Sequence, residues 1–215
     1  MTSPATSTAL RSSAPRLVAV AARFGVAALV VLALTSNLLT AMEEGTVARN
    51  ISMFTNQSNL FLVALFLSTQ VPRERRPLWF DDVRGAVTFY LVMTGIIYAL
   101  LVAPLSELGR WDIGWTGIVL HRLAPVAALA DWLLTPRQRR PSWTRLGPWL
   151  LYPVVFLVIT WVRGAITGWY PYAFLDPTAS SWGQVLATTG VVLVVFLVFA
   201  LLVHLAEGRL RRREG

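Results

Sequence analysis

The 215-residue sequence contains no cysteine, and every one of its 19 basic side chains is an arginine. The missing thiols exclude disulfide bonds, a thiolate nucleophile and any cysteine-ligated metal centre. Charge is scarce as well. Charged residues make up 14% of the chain and hydrophobic residues 55%, whereas a soluble domain carries about 25% charged residues. With a mean hydropathy of +0.59, this is the composition of an integral membrane protein. The net charge of +8 does not indicate nucleic acid, because the arginines form short clusters between apolar runs, the pattern that orients a chain in a bilayer. Histidine is nearly absent too: only His121 and His204 occur. The expected topology puts them near opposite membrane faces, which counts against a bis-histidine haem, and one histidine falls short of the three clustered ligands that zinc chemistry normally needs. No metal and no other cofactor is expected.

What is present is a series of six apolar runs, at 17–42, 51–71, 83–105, 116–135, 146–167 and 184–206. Each is about as long as a helix that crosses a hydrocarbon core of roughly 30 Å. The first is followed by further spans and has no clear Ala-x-Ala site, so it reads as a retained helix rather than a signal peptide. Residues 1–16, rich in Ser, Thr, Ala and Pro, read as a disordered tail, 17–207 as one six-helix transmembrane domain and 208–215 as a basic tail. Arginines gather in the N-terminal tail, in 72–82, in 136–145 and in the C-terminal tail, so both termini are expected in the cytoplasm. The expected class is therefore all-α, with six transmembrane helices and no soluble domain. The chain is expected to be multi-pass in a bacterial plasma membrane, arginine-only usage in an Ala/Val/Leu-rich chain hinting at a high-GC coding bias.

The second run opens with Ser52-Met53-Phe54-Thr55-Asn56-Gln57-Ser58-Asn59. In a helix Ser52, Thr55, Asn56 and Asn59 share one face, while Gln57 points elsewhere. Each unpaired polar group in apolar surroundings costs about 1–3 kcal/mol, so that face must meet other helices or water. Helix–helix glue and a site built on Thr55 are both open at this point. His121 stands about one turn inside the outer end of the fourth run, where an ionisable side chain is a functional candidate by default. Thr55 lies at the same depth, because its helix also enters from outside. A histidine that takes the hydroxyl proton converts a threonine into a nucleophile. Asn56 and Asn59, with Ser58 between them, are then candidate oxyanion or substrate-binding groups.

Asp131, ten residues beyond His121, is about 15 Å away by helical rise and too deep to orient its ring. It reads as structural, beside Trp132, and His204 reads as an interface residue. In the aromatic link 168–183, Asp176 is at a plausible depth to fold over the site, and Tyr172 belongs to a compact segment expected to cap a cavity. Arg163 is on the same side, placed to neutralise a fatty carboxylate, to pair with Asp176 or to reach headgroups.

Three islands carry a resemblance: Phe54-Thr55-Asn56-Gln57-Ser58-Asn59; His121 with Pro125, Leu129, Asp131 and Trp132; and Trp169-Tyr170-Pro171-Tyr172 running to Phe174-Leu175-Asp176. In these the chain resembles the androgen-induced-gene-product family of six-span membrane proteins, which includes the androgen-dependent regulator of tissue factor pathway inhibitor. Its animal members are threonine hydrolases of fatty acid esters of hydroxy fatty acids. The resemblance implies Thr55 as nucleophile, His121 as general base and a fatty acyl ester in the bilayer as substrate. Asn56, Gln57 and Asn59 fit a bacterial branch. The competing expectation is a non-enzymatic carrier or receptor that holds a lipid or small polar ligand on the same stripe.

Overall fold

The computed structural model describes residues 4–102, 114–135 and 146–211. Among these residues every regular element is helical: α1 (Pro4–Glu43), α2 (Val47–Ile51), α3 (Phe54–Ser68), α4 (Phe80–Ile97), α5 (Trp115–Ile118), α6 (Ala124–Leu134), α7 (Leu146–Thr167) and α8 (Trp182–Arg211). The basic link 136–145, the link 103–113 and the last four residues of the C-terminal tail lie outside the described residues.

Five helical stretches are long and apolar enough to cross a membrane: Leu17–Glu43, Phe80–Val102, Trp115–Leu134, Gly147–Thr167 and Trp182–Phe199. They fall on five of the six expected runs, and α7 has both expected ends. Burial runs inside-out, as expected where lipid replaces water. Leu134 is 83% and Ile166 78% exposed, while Arg84 is 1% and Ser58 and Asn59 are 0% exposed. The protein is an all-α membrane protein.

Two differences from expectation stand at the N-terminal side. α1 is already helical at Pro4, ahead of the expected start at Leu17, with Pro4 in the first turn, where proline is tolerated. The second run is not one helix. Ser52 and Met53 interrupt it, and Met53 is extended (φ −72°, ψ 131°). That leaves α3 with 15 residues, about 22 Å of rise.

α3 packs between α1 and α4, and α4 packs along α6. The core between them is apolar, with Val30, Leu62, Leu91 and Leu120 fully buried. α7 and α8 join through an aromatic cluster in which Phe89 meets Trp149 and Phe196, and Phe54 meets Tyr152 and Phe156. At the far end from Thr55, Asp131 accepts from Arg23 Nε at 2.7 Å and from Arg84 Nη2 at 3.1 Å. Asp131 is thus structural, as expected, and Arg23 turns inward to it.

Candidate active site

The break before α3 is what builds the site. In an uninterrupted helix the carbonyls of Asn50 and Ile51 would accept from the amides of Phe54 and Thr55. Here side chains take over that duty: Asn56 Nδ2 donates to the Asn50 carbonyl at 2.8 Å and Gln57 Nε2 to the Ile51 carbonyl at 2.9 Å. The first amides of α3 are thereby left without helical acceptors, as at any helix N-terminus. The amide of Thr55 points instead at the Tyr172 hydroxyl, 3.5 Å away.

His121 comes from a different part of the fold. It sits in a single π-helical turn, Val119–Leu123, between α5 and α6. Pro125 lacks an N–H, so the His121 carbonyl loses its usual donor, and the turn widens instead: the Ala124 amide reaches back to Val119. The ring is fixed on three sides. Tyr98, in a second π-helical turn, Tyr98–Val102, stacks on it with centroids 3.9 Å apart. Nδ1 lies 3.3 Å from the Gly117 carbonyl. A carbonyl can only accept, so that bond puts the proton on Nδ1 and leaves the lone pair on Nε2. Nε2 in turn faces Thr55 Oγ1 at 3.4 Å.

The structure thus brings together the threonine and histidine that the sequence put at one depth, 66 positions apart. The separation is long for a hydrogen bond, as catalytic contacts often are before a substrate tightens them. Asn59, fully buried, locks the pair in register: its Nδ2 donates to the Thr55 carbonyl at 2.9 Å and to the Leu120 carbonyl at 3.2 Å. Ser58 Oγ donates to the Thr55 carbonyl at 3.1 Å and meets Thr94 Oγ1 at 3.2 Å.

The expected oxyanion donors are therefore occupied otherwise. Asn56, Ser58 and Asn59 hold backbone and neighbouring helices, because a side-chain amide or hydroxyl inside a bundle is committed to whichever carbonyl the packing leaves unpaired. Tyr172 is the side chain that faces the Thr55 amide instead. Its phenol is buried, which pushes its pKa up against hydrogen bonds from Phe54 and Thr55, so it keeps the proton it can donate. The Thr55 amide donates to the Tyr172 hydroxyl over a long 3.5 Å, a weak bond that an incoming oxygen can displace.

Asp176 stays away from the histidine. Its Oδ1 accepts from Thr178 N at 2.7 Å, from Thr178 Oγ1 at 2.6 Å and from Ala179 N at 3.3 Å. These bonds hold its carboxyl below the usual range, and they make it a loop brace. Arg163 does not pair with it; the guanidinium stands over Trp169, 4.6 Å from the ring centroid. Nothing is described of the His204 side chain, which lies outside the residues whose burial is given.

Thr55, His121 and Tyr172 open onto one cavity of about 470 Å³. Its remaining wall is mainly apolar, from Ile97, Leu120, Leu150, Val154, Phe156 and Leu157 to Leu175, Val192, Leu193 and Phe196. Such a volume suits a small to medium acyl ligand with a few convergent polar groups.

Comparison with family models, curated proteins and solved structures finds no match. Sequence reasoning missed Tyr98, Gly117 and Thr189, the last lining the cavity with a buried Oγ1 that has no hydrogen-bond partner among the described residues. Pro125 one turn after His121 was the available signal for the π-helical turn.

Proposed function

We propose that the protein is an intramembrane lipid esterase that hydrolyses fatty acyl esters, such as fatty acid esters of hydroxy fatty acids, with Thr55 as nucleophile and His121 as general base. The observation that carries this reading is the contact between Thr55 Oγ1 and His121 Nε2 at 3.4 Å, on the wall of an apolar cavity. Thr55 Oγ attacks the ester carbonyl carbon while Nε2 takes its proton. The carbonyl oxygen becomes an oxyanion and receives hydrogen bonds from the Thr55 amide and the Tyr172 hydroxyl. Collapse of that intermediate breaks the acyl C–O bond, and the leaving alkoxide takes the proton from His121. Water, activated by the same histidine, then hydrolyses the acyl-threonine and regenerates both groups.

The Gly117 carbonyl does for His121 what a carboxylate does in a serine triad: it fixes the tautomer and the ring. It supplies no full negative charge. The apolar wall suits an acyl chain arriving from the bilayer. In this proposal α2 and α3 together make a sixth crossing, both termini are cytoplasmic, and Thr55 lies toward the outer leaflet of a bacterial plasma membrane, within reach of water. The resemblance to the androgen-induced-gene-product family agrees with these roles for Thr55 and His121.

The test is labelling of the purified protein with a lipophilic fluorophosphonate, followed by mapping of the modified residue. A phosphonylated Thr55 whose labelling disappears in His121→Ala supports the reading. Absent labelling, together with unchanged lipid binding in Thr55→Ala, would transfer the site to a lipid or small-ligand carrier.

A further inference from the structure

A second polar feature lies on the link between α7 and α8, outside the Thr55–His121 pair. Gly168 has φ +69°, a left-handed conformation that turns the chain back over α7. The turn is braced on both sides. Thr167 Oγ1 donates to the Arg163 carbonyl at 2.9 Å, and the Trp169 amide approaches Thr167 Oγ1 at 3.4 Å. One turn below, Gly164 lets the Tyr170 ring lie flat on the helix, since a Cβ there would stand 2.1 Å from a ring carbon. Two glycines thus give the link one seating on α7.

That seating gathers positive charge. Trp169 lies under the Arg163 guanidinium at 4.6 Å and also under that of Arg49, from α2, at 5.5 Å. No carboxylate among the described residues pairs with either arginine, and Asp176 is turned into its own loop. Arg163 Nε and Nη2 are buried with no hydrogen-bond partner among the described residues. Two guanidinium groups sharing one indole repel each other, and buried guanidinium N–H groups without acceptors are costly. One anion answers both costs, and planar N–H groups fit a carboxylate or phosphate oxygen well.

We infer that Arg49, Trp169 and Arg163 form a binding site for an anionic group, a carboxylate or phosphate, seated beside the mouth of the cavity. Trp169 is three residues before Tyr172, and Arg49 precedes Asn50, which lines the cavity. An amphiphile held there by its head can lay its chain toward the apolar wall. The site is independent of the chemistry at Thr55.

The test uses the full-length protein in maltoside micelles, with melting midpoints recorded against increasing hexadecyl phosphate, palmitate, hexadecanol or inorganic phosphate. Hexadecyl phosphate and palmitate are expected to raise the midpoint and hexadecanol is not. Arg163→Gln is expected to weaken both anionic amphiphiles about tenfold or more, as loss of a charge-assisted bond implies. Arg163→Lys is expected to recover part of that loss. Should Arg163→Gln fold poorly, Arg49→Gln, at an exposed position, carries the same comparison. Weak binding of inorganic phosphate assigns the anion to a lipid head; equal binding assigns it to a free anion, and both support the site. An equal effect of hexadecanol, or unchanged affinity in Arg163→Gln or Arg49→Gln, overturns it. Loss of esterase activity in Thr55→Ala with anion binding intact keeps this inference apart from the fate of the catalytic reading.

Discussion

Replacing Tyr172 by Phe removes one oxygen and keeps a ring that stacks on Phe174 with centroids 5.4 Å apart. The seating of the link should therefore survive. If an oxyanion sits about 2.9 Å from both donors, the 3.5 Å between the Thr55 amide and the Tyr172 hydroxyl subtends roughly 75° at the shared oxygen. Two donors approach one carbonyl-derived oxygen comfortably at that angle. A hydrogen bond to a charged acceptor contributes about 1.5–3 kcal/mol, and each 1.36 kcal/mol is about tenfold in rate. The amide donor remains, so kcat is expected to fall about 10- to 150-fold, with KM changed less than about twofold because the charge exists only in the transition state. The assay is steady-state hydrolysis of a fatty acyl 4-nitrophenyl ester in mixed micelles. Thr55→Ala sets the background, and a trifluoromethyl ketone of the same chain serves as transition-state mimic. Its affinity should drop in parallel with kcat. A kcat within about threefold of wild type would refute the assignment of Tyr172 as a donor and leave the helix amides alone in that role.

Three further outcomes follow. Thr55→Ala and His121→Ala should each lower hydrolysis by about 10³-fold or more, the double variant little further, and Thr55→Ser should keep measurable turnover, since the pair acts as one unit; additive losses in the double variant would contradict a nucleophile–base pair. Asp131→Ala leaves Arg23 without its carboxylate and Arg84 with only Asp81 at 3.5 Å, and is expected to cost about 3–5 kcal/mol, read by denaturant unfolding in detergent, whereas Leu134→Ala on the exposed surface costs far less; equal effects would deny the network its structural role. Reporters fused after Gly215 or placed in 136–145 are expected to signal cytoplasm, and an external signal from either would move Thr55 to the inner leaflet.

Helix positions were the most legible part of the sequence, because a bilayer demands long uninterrupted apolar runs and the arginine clusters punctuate them. Five runs correspond to helices of crossing length. The exception is informative. Periodicity treats 51–71 as one helix, since Ser52 and Met53 are compatible with helix and no proline or glycine marks a break. What ends α2 is the tertiary option open to Asn56 and Gln57, whose side chains can hold the Asn50 and Ile51 carbonyls. Local competition of that kind between side chain and backbone is not encoded in spacing alone.

The same competition explains why Thr55 and His121 could be placed from sequence while their helpers could not. Depth in a membrane is nearly a linear function of residue number along a helix, so two residues one turn inside helices that enter from the same side meet whenever those helices are neighbours. The role of a polar side chain depends instead on which carbonyls the packing leaves unpaired. Asn59 looked like a donor to substrate and is spent tying Thr55 to Leu120. Asp176 looked like the group to orient the imidazole and is spent on Thr178 and Ala179. The orienting acceptor is the carbonyl of Gly117, next to a π-helical turn over which Pro125 withholds its amide. A bilayer makes that choice reasonable. A carboxylate buried at this depth would need a counter-cation of its own, as Asp131 needs Arg23 and Arg84, whereas a backbone carbonyl holds the ring with no charge to desolvate.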